Sequence, residues 1–214
     1  MRKQFKQTPK RNPNIVLIGF MGTGKTSIGK RLSAQLRMRY IDTDNVIERD
    51  SQRRISDIFA EDGEAGFRKL ESEAVDKVSK LYNFVISTGG GVVLKESNVS
   101  KLKENSIVFC LTASPEEIYK RVGHQTHRPL LQTPDAMDTI RTMLAERAPY
   151  YAKADHTIET TERTFDEVIA DIRRIYLRTR YSSKPKYNTK RYGKNSARRT
   201  QREQLSTPRR SRNS

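Results

Sequence analysis

Cysteine is nearly missing from this 214-residue chain, and no apolar run approaches the roughly 20 residues that a membrane span requires. With Cys110 alone, no internal disulfide can form. Its place in Ile107-Val108-Phe109-Cys110-Leu111 marks a small buried hydrophobe rather than a reactive thiol. The basic amino terminus is not followed by the apolar segment of a secretion signal, and no internal repeat is visible. A soluble, cytoplasmic protein is expected.

Acidic residues are scarce at both ends. Residues 1–11 carry five Lys/Arg and no acid, and residues 177–214 carry thirteen against the single Glu203. The remaining 12–176 hold 24 bases and 24 acids, so the net charge of +17 resides in the tails. Lacking apolar periodicity, the tails cannot bury enough surface to offset ordering entropy and are expected to be mobile. Residues 1–12 and 178–214 therefore read as basic extensions of one domain at 13–177. In the carboxyl-terminal extension Tyr181, Tyr187 and Tyr192 are interleaved with Lys and Arg, a pattern suited to non-specific contact with nucleic acid or another polyanion. A solvated extension without a partner is the plainer alternative.

What the chain does contain begins with Gly19-Phe20-Met21-Gly22-Thr23-Gly24-Lys25-Thr26, placed after the apolar run Ile15-Val16-Leu17-Ile18 and before a helix-like stretch. In such a phosphate-binding loop, Gly22 and Gly24 let successive N–H groups curl around phosphate oxygens. Lys25 reaches the β- and γ-phosphates, Thr26 ligates Mg²⁺, and the dipole of the following helix favours bound anion. The motif predicts ATP or GTP as a ligand.

Strand-like runs at Asn14–Ile18, Tyr40–Ile41, Phe84–Ser87, Ile107–Leu111 and Thr157–Ile158 alternate with helix-like stretches at Lys25–Arg37, Asp44–Asp50, Ser56–Asp62, Glu64–Leu81, Pro115–Arg121, Asp135–Tyr151 and Phe165–Arg178. Ser56 and Ser114 are the expected amino-terminal caps of their helices. The alternation predicts an α/β fold, a mostly parallel sheet flanked by helices, with ligands gathered at the carboxyl ends of the strands.

Four segments stand at such ends or in the connecting loops. Asp42-Thr43-Asp44 follows the second strand, where extended alternation turns both acids to one side, one for a metal through water and one to accept a proton; a helix cap is the other reading of either acid. Arg68 and Glu71 share a helix face, which suits a guanidinium aimed at a carboxylate or an ordinary surface pair. Gly89-Gly90-Gly91 leaves main chain bare for close approach after the third strand. The polar loop Arg121 to Leu131 carries Arg128, suited to closing over phosphates. Its His124 and His127 read as solvated loop residues, and Arg147, near a helix end, is a further carboxylate clamp.

Taken together, the loop from Gly19 to Lys30, Asp42-Thr43-Asp44, Ile58-Phe59 with Glu64 and Phe67-Arg68 to Glu71, Gly89-Gly90-Gly91, Arg128-Pro129-Leu130-Leu131 and Arg147-Ala148-Pro149-Tyr150-Tyr151 resemble the shikimate kinase family, within the nucleoside-monophosphate-kinase-like branch of P-loop folds. They run in family order across about residues 14–176. The resemblance implies a three-layer fold with a five-stranded parallel sheet in the order 2-3-1-4-5, a substrate-binding region around 44–72 and a lid around 122–134. It implies a monomer that transfers the γ-phosphoryl of ATP to the 3-hydroxyl of shikimate. Gly22, Thr23, Gly24, Lys25, Thr26, Ser27 and Arg128 would hold the nucleotide, and Thr26 with Asp42 would position Mg²⁺. Asp44, Arg68, Gly90 and Arg147 would bind shikimate, with Glu71 supporting Arg68. Lys25, Asp44 and Arg128 would carry the chemistry. Near the expected adenine site, Glu162 and Phe165 stand where the family usually has a basic residue and a proline. The basic extension past Arg178 has no family counterpart. The competing readings are a gluconate or nucleotide kinase of the same fold, disfavoured by Asp44 and Arg68, and a polyanion-binding module acting through its tail.

Overall fold

The strand β1, Asn14–Gly19, is buried at every position, and a strand without a solvent face belongs in the middle of a sheet covered on both sides. The computed structural model, which describes residues 12–122 and 135–182, places it there. Around it lie β2 (Arg39–Asp42), β3 (Phe84–Ser87), β4 (Ser106–Thr112) and β5 (His156–Glu159) in the order β2-β3-β1-β4-β5. Every pairing is parallel, with Val16 beside Ile86 on one side and Val108 on the other. The implied strand order is confirmed.

Side-chain alternation along β1 divides the apolar residues between two cores. Ile15 and Leu17 join Ile28 and Leu32 of α1 (Lys25–Leu36) and Val168, Ile169 and Ile172 of α7 (Phe165–Ser182). Val16 and Ile18 face the opposite layer, with Val46 and Ile47 of α2 (Thr43–Ser51), Ile58 and Val75 of α3 (Ile55–Val78), Leu102 of α4 (Glu96–Glu104), Ile118 of α5 (Pro115–Val122) and Ile140 of α6 (Ala136–Tyr151). Asn14 is a polar exception that is fully satisfied. Its amide donates to the Leu81 carbonyl at 2.7 Å and accepts from the Phe84 N–H at 3.0 Å, which joins the start of β1 to the start of β3.

Most sequence expectations lie within a residue or two of the observed elements. Ser114 caps α5, its hydroxyl accepting from the Glu117 N–H at 3.1 Å. Ser56 is not a cap, because the helix begins earlier: Arg54 takes the cap position and Ser56 lies inside the first turn. The helices expected at 56–62 and 64–81 are the two arms of α3, divided as expected at Gly63, whose backbone is non-helical. Helix α4 and the 3₁₀ turn Val92–Leu94 lacked a clear apolar period, and α7 runs past the expected end at Arg178 to Ser182. Cys110 is buried, and burial pushes its thiol up to about 11. Among the described residues, no helix is long and apolar enough to cross a membrane.

Gly63 has φ 67° and ψ −172°, a conformation essentially confined to glycine, and nothing lies within 4 Å of a Cβ built there. Backbone strain is thus the only cost of adding a methyl group. Gly63→Ala is expected to lower unfolding stability by about 1–3 kcal/mol in a urea titration, with the loss appearing in the midpoint rather than the slope.

Candidate active site

The carboxyl ends of β1, β2 and β3 open into two neighbouring cavities of about 390 and 180 Å³. Met21, Asp44, Gly89 and Gly90 line both, so the two spaces meet at one wall.

The larger cavity is built on the loop between β1 and α1. Gly24, with φ 91°, is the amino-terminal cap residue of α1. Lys25 is buried, and its ammonium donates to the carbonyls of Gly19 at 2.9 Å and Phe20 at 2.8 Å. The Thr23 hydroxyl turns inward and donates to the Phe20 carbonyl at 2.8 Å, which holds the turn of the loop. Gly22, Gly24, Lys25, Thr26 and Ser27 all border the cavity.

Across it stands Asp42. Its Oδ1 accepts from the Asp44 N–H at 3.1 Å, capping α2, while Oδ2 receives the Tyr40 hydroxyl at 3.1 Å and the Thr26 hydroxyl at 3.4 Å. The expectation that extended alternation aligns Asp42 and Asp44 is corrected here. Asp42 ends β2 and Asp44 is already in the first turn of α2, so the turn of the helix brings the two carboxylates together. The cap reading of Asp42 and its place on the cavity hold together.

Asp44 is the carboxyl that burial perturbs most clearly at the site. Its Oδ1 is buried with no hydrogen-bond partner, and its carboxyl is pushed up to about 6. Burial is the main cause, followed by the charges of Asp42 and Glu71, with Lys25 pulling the other way.

The smaller cavity is lined by Arg68, Glu71 and Arg147. Glu71 is 1% exposed and accepts from Arg68 Nη1 at 2.8 Å, while Glu64 accepts from Nη2 at 3.0 Å. The pair is therefore a buried carboxylate orienting a guanidinium, not a surface contact. Burial raises the Glu71 carboxyl, and Arg68 and Arg147 hold it down. Arg147 on α6 lies with its guanidinium carbon 5.5 Å from the Phe20 ring centroid, and Tyr151, one turn on, donates to the Gly90 carbonyl at 2.8 Å. The glycine run makes room for these groups: a Cβ at 89 would stand 2.9 Å from Asp44 Oδ1, and one at 91 would stand 2.5 Å from the Arg68 guanidinium.

The structure thus gathers Gly22, Gly24, Lys25, Thr26, Ser27, Asp42, Asp44, Arg68, Gly90 and Arg147 around two adjoining spaces, whereas Thr23, expected among them, is buried within the loop and borders neither. Arg128, His124 and His127 lie outside the described residues. Sequence reasoning missed Arg121. Its guanidinium donates to the Gly22 carbonyl at 3.1 Å and the Thr160 carbonyl at 2.8 Å, strapping the phosphate-binding loop to the chain after β5. A base in the last turn of α5 reads as a response to the helix dipole, and no local signal separates it from a structural strap. Arg163 and Phe165 also border the larger cavity, and the Arg31 guanidinium carbon lies 4.6 Å from the Phe165 ring centroid.

In chemical terms, one space offers an ammonium, a helix amino terminus and a hydroxyl–carboxylate pair, the equipment for a nucleoside triphosphate. The other offers two guanidinium groups and stands against a carboxyl of raised basicity, equipment for a hydroxylated carboxylic acid.

The family model described as shikimate kinase matches residues 21–176. The shikimate kinase of Thermoanaerobacter pseudethanolicus is 46% identical over 165 residues, spanning 77% of this chain and 96% of its own. That of Geobacter metallireducens is 43% identical over 159 residues, spanning 74% and 89%. Among solved structures, shikimate kinase from Acinetobacter baumannii in complex with shikimate aligns with a TM-score of 0.74 at 34% identity, over 78% of this chain and 94% of that one. The Aquifex aeolicus shikimate kinase gives 0.68 at 34%, over 77% and 96%.

The raised Asp44 carboxyl carries a stability cost with a definite sign. Below about pH 4 the group is protonated both folded and unfolded, and between there and about 6 only the folded chain keeps the proton, so stability falls as pH rises through that window. In the metal-free protein, Asp44→Asn is expected to raise unfolding stability by about 1–2 kcal/mol at pH 7.5, with the gain vanishing near pH 4. Thermal melts of both proteins across that range check it.

Proposed function

The chain belongs to the shikimate kinase family, and we propose that it transfers the γ-phosphoryl group of ATP to the 3-hydroxyl of shikimate, yielding shikimate 3-phosphate and ADP. The observation that carries this reading is the meeting of the two cavities at Asp44, with a phosphate-binding loop on one side and paired arginines on the other.

In this reading Arg68 and Arg147 grip the acceptor carboxylate. Arg68 is pre-aimed by Glu71, so little side-chain entropy remains to be lost on binding. Gly90 presents main chain to the ring hydroxyls. Asp44, short of hydrogen-bond partners and raised toward neutrality, accepts the proton from the attacking hydroxyl. Gly22 to Ser27 wrap the phosphates, and Lys25 exchanges its contacts with the Gly19 and Phe20 carbonyls for phosphate oxygens. A carboxylate beside a hydroxyl, Asp42 and Thr26, suits Mg²⁺, which takes one or two protein oxygens and completes its shell with phosphate and water. When bound, the cation neutralises charge on the transferring group. The rest of the positioning falls to the side chains named.

A coupled assay of ADP release tests the reading directly. Shikimate with Mg²⁺ is expected to raise ATP turnover by orders of magnitude over gluconate or nucleoside monophosphates, and equal rates with all three would remove it. Arg147→Leu is expected to raise KM for shikimate by about 100-fold, the scale of a lost charge-assisted pair, while KM for ATP changes little.

The basic carboxyl-terminal extension suits a second, non-catalytic role in holding polyanions by counterion release. Because α7 continues to Ser182, the informative truncation removes 183–214 and leaves that helix whole. The truncated chain is expected to keep full shikimate-dependent activity and to lose its salt-sensitive retention on RNA or heparin. Unchanged retention would refute the role.

A further inference from the structure

Tyr40 has no part in the reaction as derived above, yet it lies against the group that reading gives to the cation. It is on the edge strand β2, two residues before Asp42, and the two side chains share a face. Its ring lies under α1 at Gly29, where any Cβ would come within 2.7 Å of Tyr40 Cε2. The close approach of helix and ring carries the hydroxyl up to Asp42 Oδ2, at 3.1 Å.

We propose that Tyr40 is a positioning residue for the divalent cation, its hydroxyl fixing the Asp42 carboxylate in the orientation that faces Thr26. The proposal rests on the reading of Thr26 and Asp42 as the cation's site. Three donors surround that carboxylate. The Asp44 N–H holds Oδ1 at 3.1 Å, and Oδ2 has the Tyr40 and Thr26 hydroxyls. The Thr26 contact, at 3.4 Å, is at the edge of hydrogen-bonding distance and cannot by itself stop the carboxylate from rotating about the Oδ1 bond. Tyr40 supplies the second fixed point. Asp44 adds a reason for needing one, since its like charge lies near enough to act on Asp42. Ser87, paired with Asp42 in the register of β2 and β3, has a buried hydroxyl without a hydrogen bond, so it leaves the orientation of the carboxylate to the three donors. Partners of this kind set the direction of a metal-facing group without touching the metal.

The ring alone accounts for the packing under Gly29, so Tyr40→Phe removes the positioning role and keeps the structural one. Electron paramagnetic resonance titration of Mn²⁺ into the full-length protein with ADP is the readout, with calorimetry of ADP binding in the absence of metal beside it. Tyr40→Phe is expected to weaken Mn²⁺ binding by about 10-fold, the lower end of the range for lost outer partners. Metal-free ADP affinity is expected to stay within about 2-fold, and the half-saturating Mg²⁺ in turnover is expected to rise in step. Asp42→Asn serves as the reference and is expected to weaken Mn²⁺ binding at least as far. Unchanged Mn²⁺ affinity in Tyr40→Phe beside a loss in Asp42→Asn overturns the role of Tyr40 alone. Unchanged affinity in both overturns it together with the assignment of the cation to Asp42. A loss of ADP affinity that is equal with and without metal identifies Tyr40 as a packing residue and also overturns the proposal.

Discussion

Charge balance in a confined space governs this molecule's working edge. Asp42, Asp44 and Glu71 converge there, and each is far enough from water for its charge to be costly. Lys25, Arg68 and Arg147 answer them, but not evenly. Glu71 has Arg68 at 2.8 Å with Arg147 nearby, and Asp42 has three donors. Asp44 Oδ1 and Glu71 Oε1 are both buried without a hydrogen bond, but Glu71 has its other oxygen on Arg68, whereas Asp44 has Lys25 only at a distance and its carboxyl is pushed up to about 6. The imbalance sets Asp44 apart from its neighbours, and it is the reason Asp44 is the base in the proposed reaction.

Such an arrangement is possible because the sheet places unlike elements at one edge. The buried β1 delivers the phosphate-binding loop, β2 delivers Asp42 and the start of α2, and β3 delivers the glycine run. The bend at Gly63 sets the second half of α3, with Phe67, Arg68 and Glu71, over the same edge. From the same layer as α3, α6 contributes Arg147 and Tyr151, and Arg121 ties α5 to the loop and to the end of β5. Among the described residues, the strand ends of β1, β2 and β3 and the helices around them thus meet at two small spaces that share a wall.

Much of this was legible in the chain. Strand runs and helix periods are local, as is a glycine-lysine-threonine loop between them, so fold class and the nucleotide side followed from neighbours in sequence. The candidate residues from Gly22 to Ser27, with Asp42, Asp44, Arg68 and Arg147, were named from such patterns and from family order, and all but Thr23 converge. What failed was geometry that depends on where an element ends. Ser56 looked like a cap because serine often is, yet the helix had begun at Ile55. Asp42 and Asp44 were paired by strand alternation, but a helix starts between them. Arg121 escapes a sequence reading because its partners, Gly22 and Thr160, are remote in the chain, and Tyr40 because its reach to Asp42 depends on the packing of its ring under Gly29.

The sequence by itself determined the class of fold, the phosphate-binding loop and the types of charged group that serve the acceptor, since each is written in adjacent residues or in residues one helical turn apart. Tertiary structure alone decided that the Asp44 carboxyl is pushed up by burial, which arginine is pre-aimed by a buried acid and which tyrosine reaches Asp42. Those properties depend on desolvation and on distances between elements far apart in the chain, and neither quantity exists until the sheet has closed its two cores.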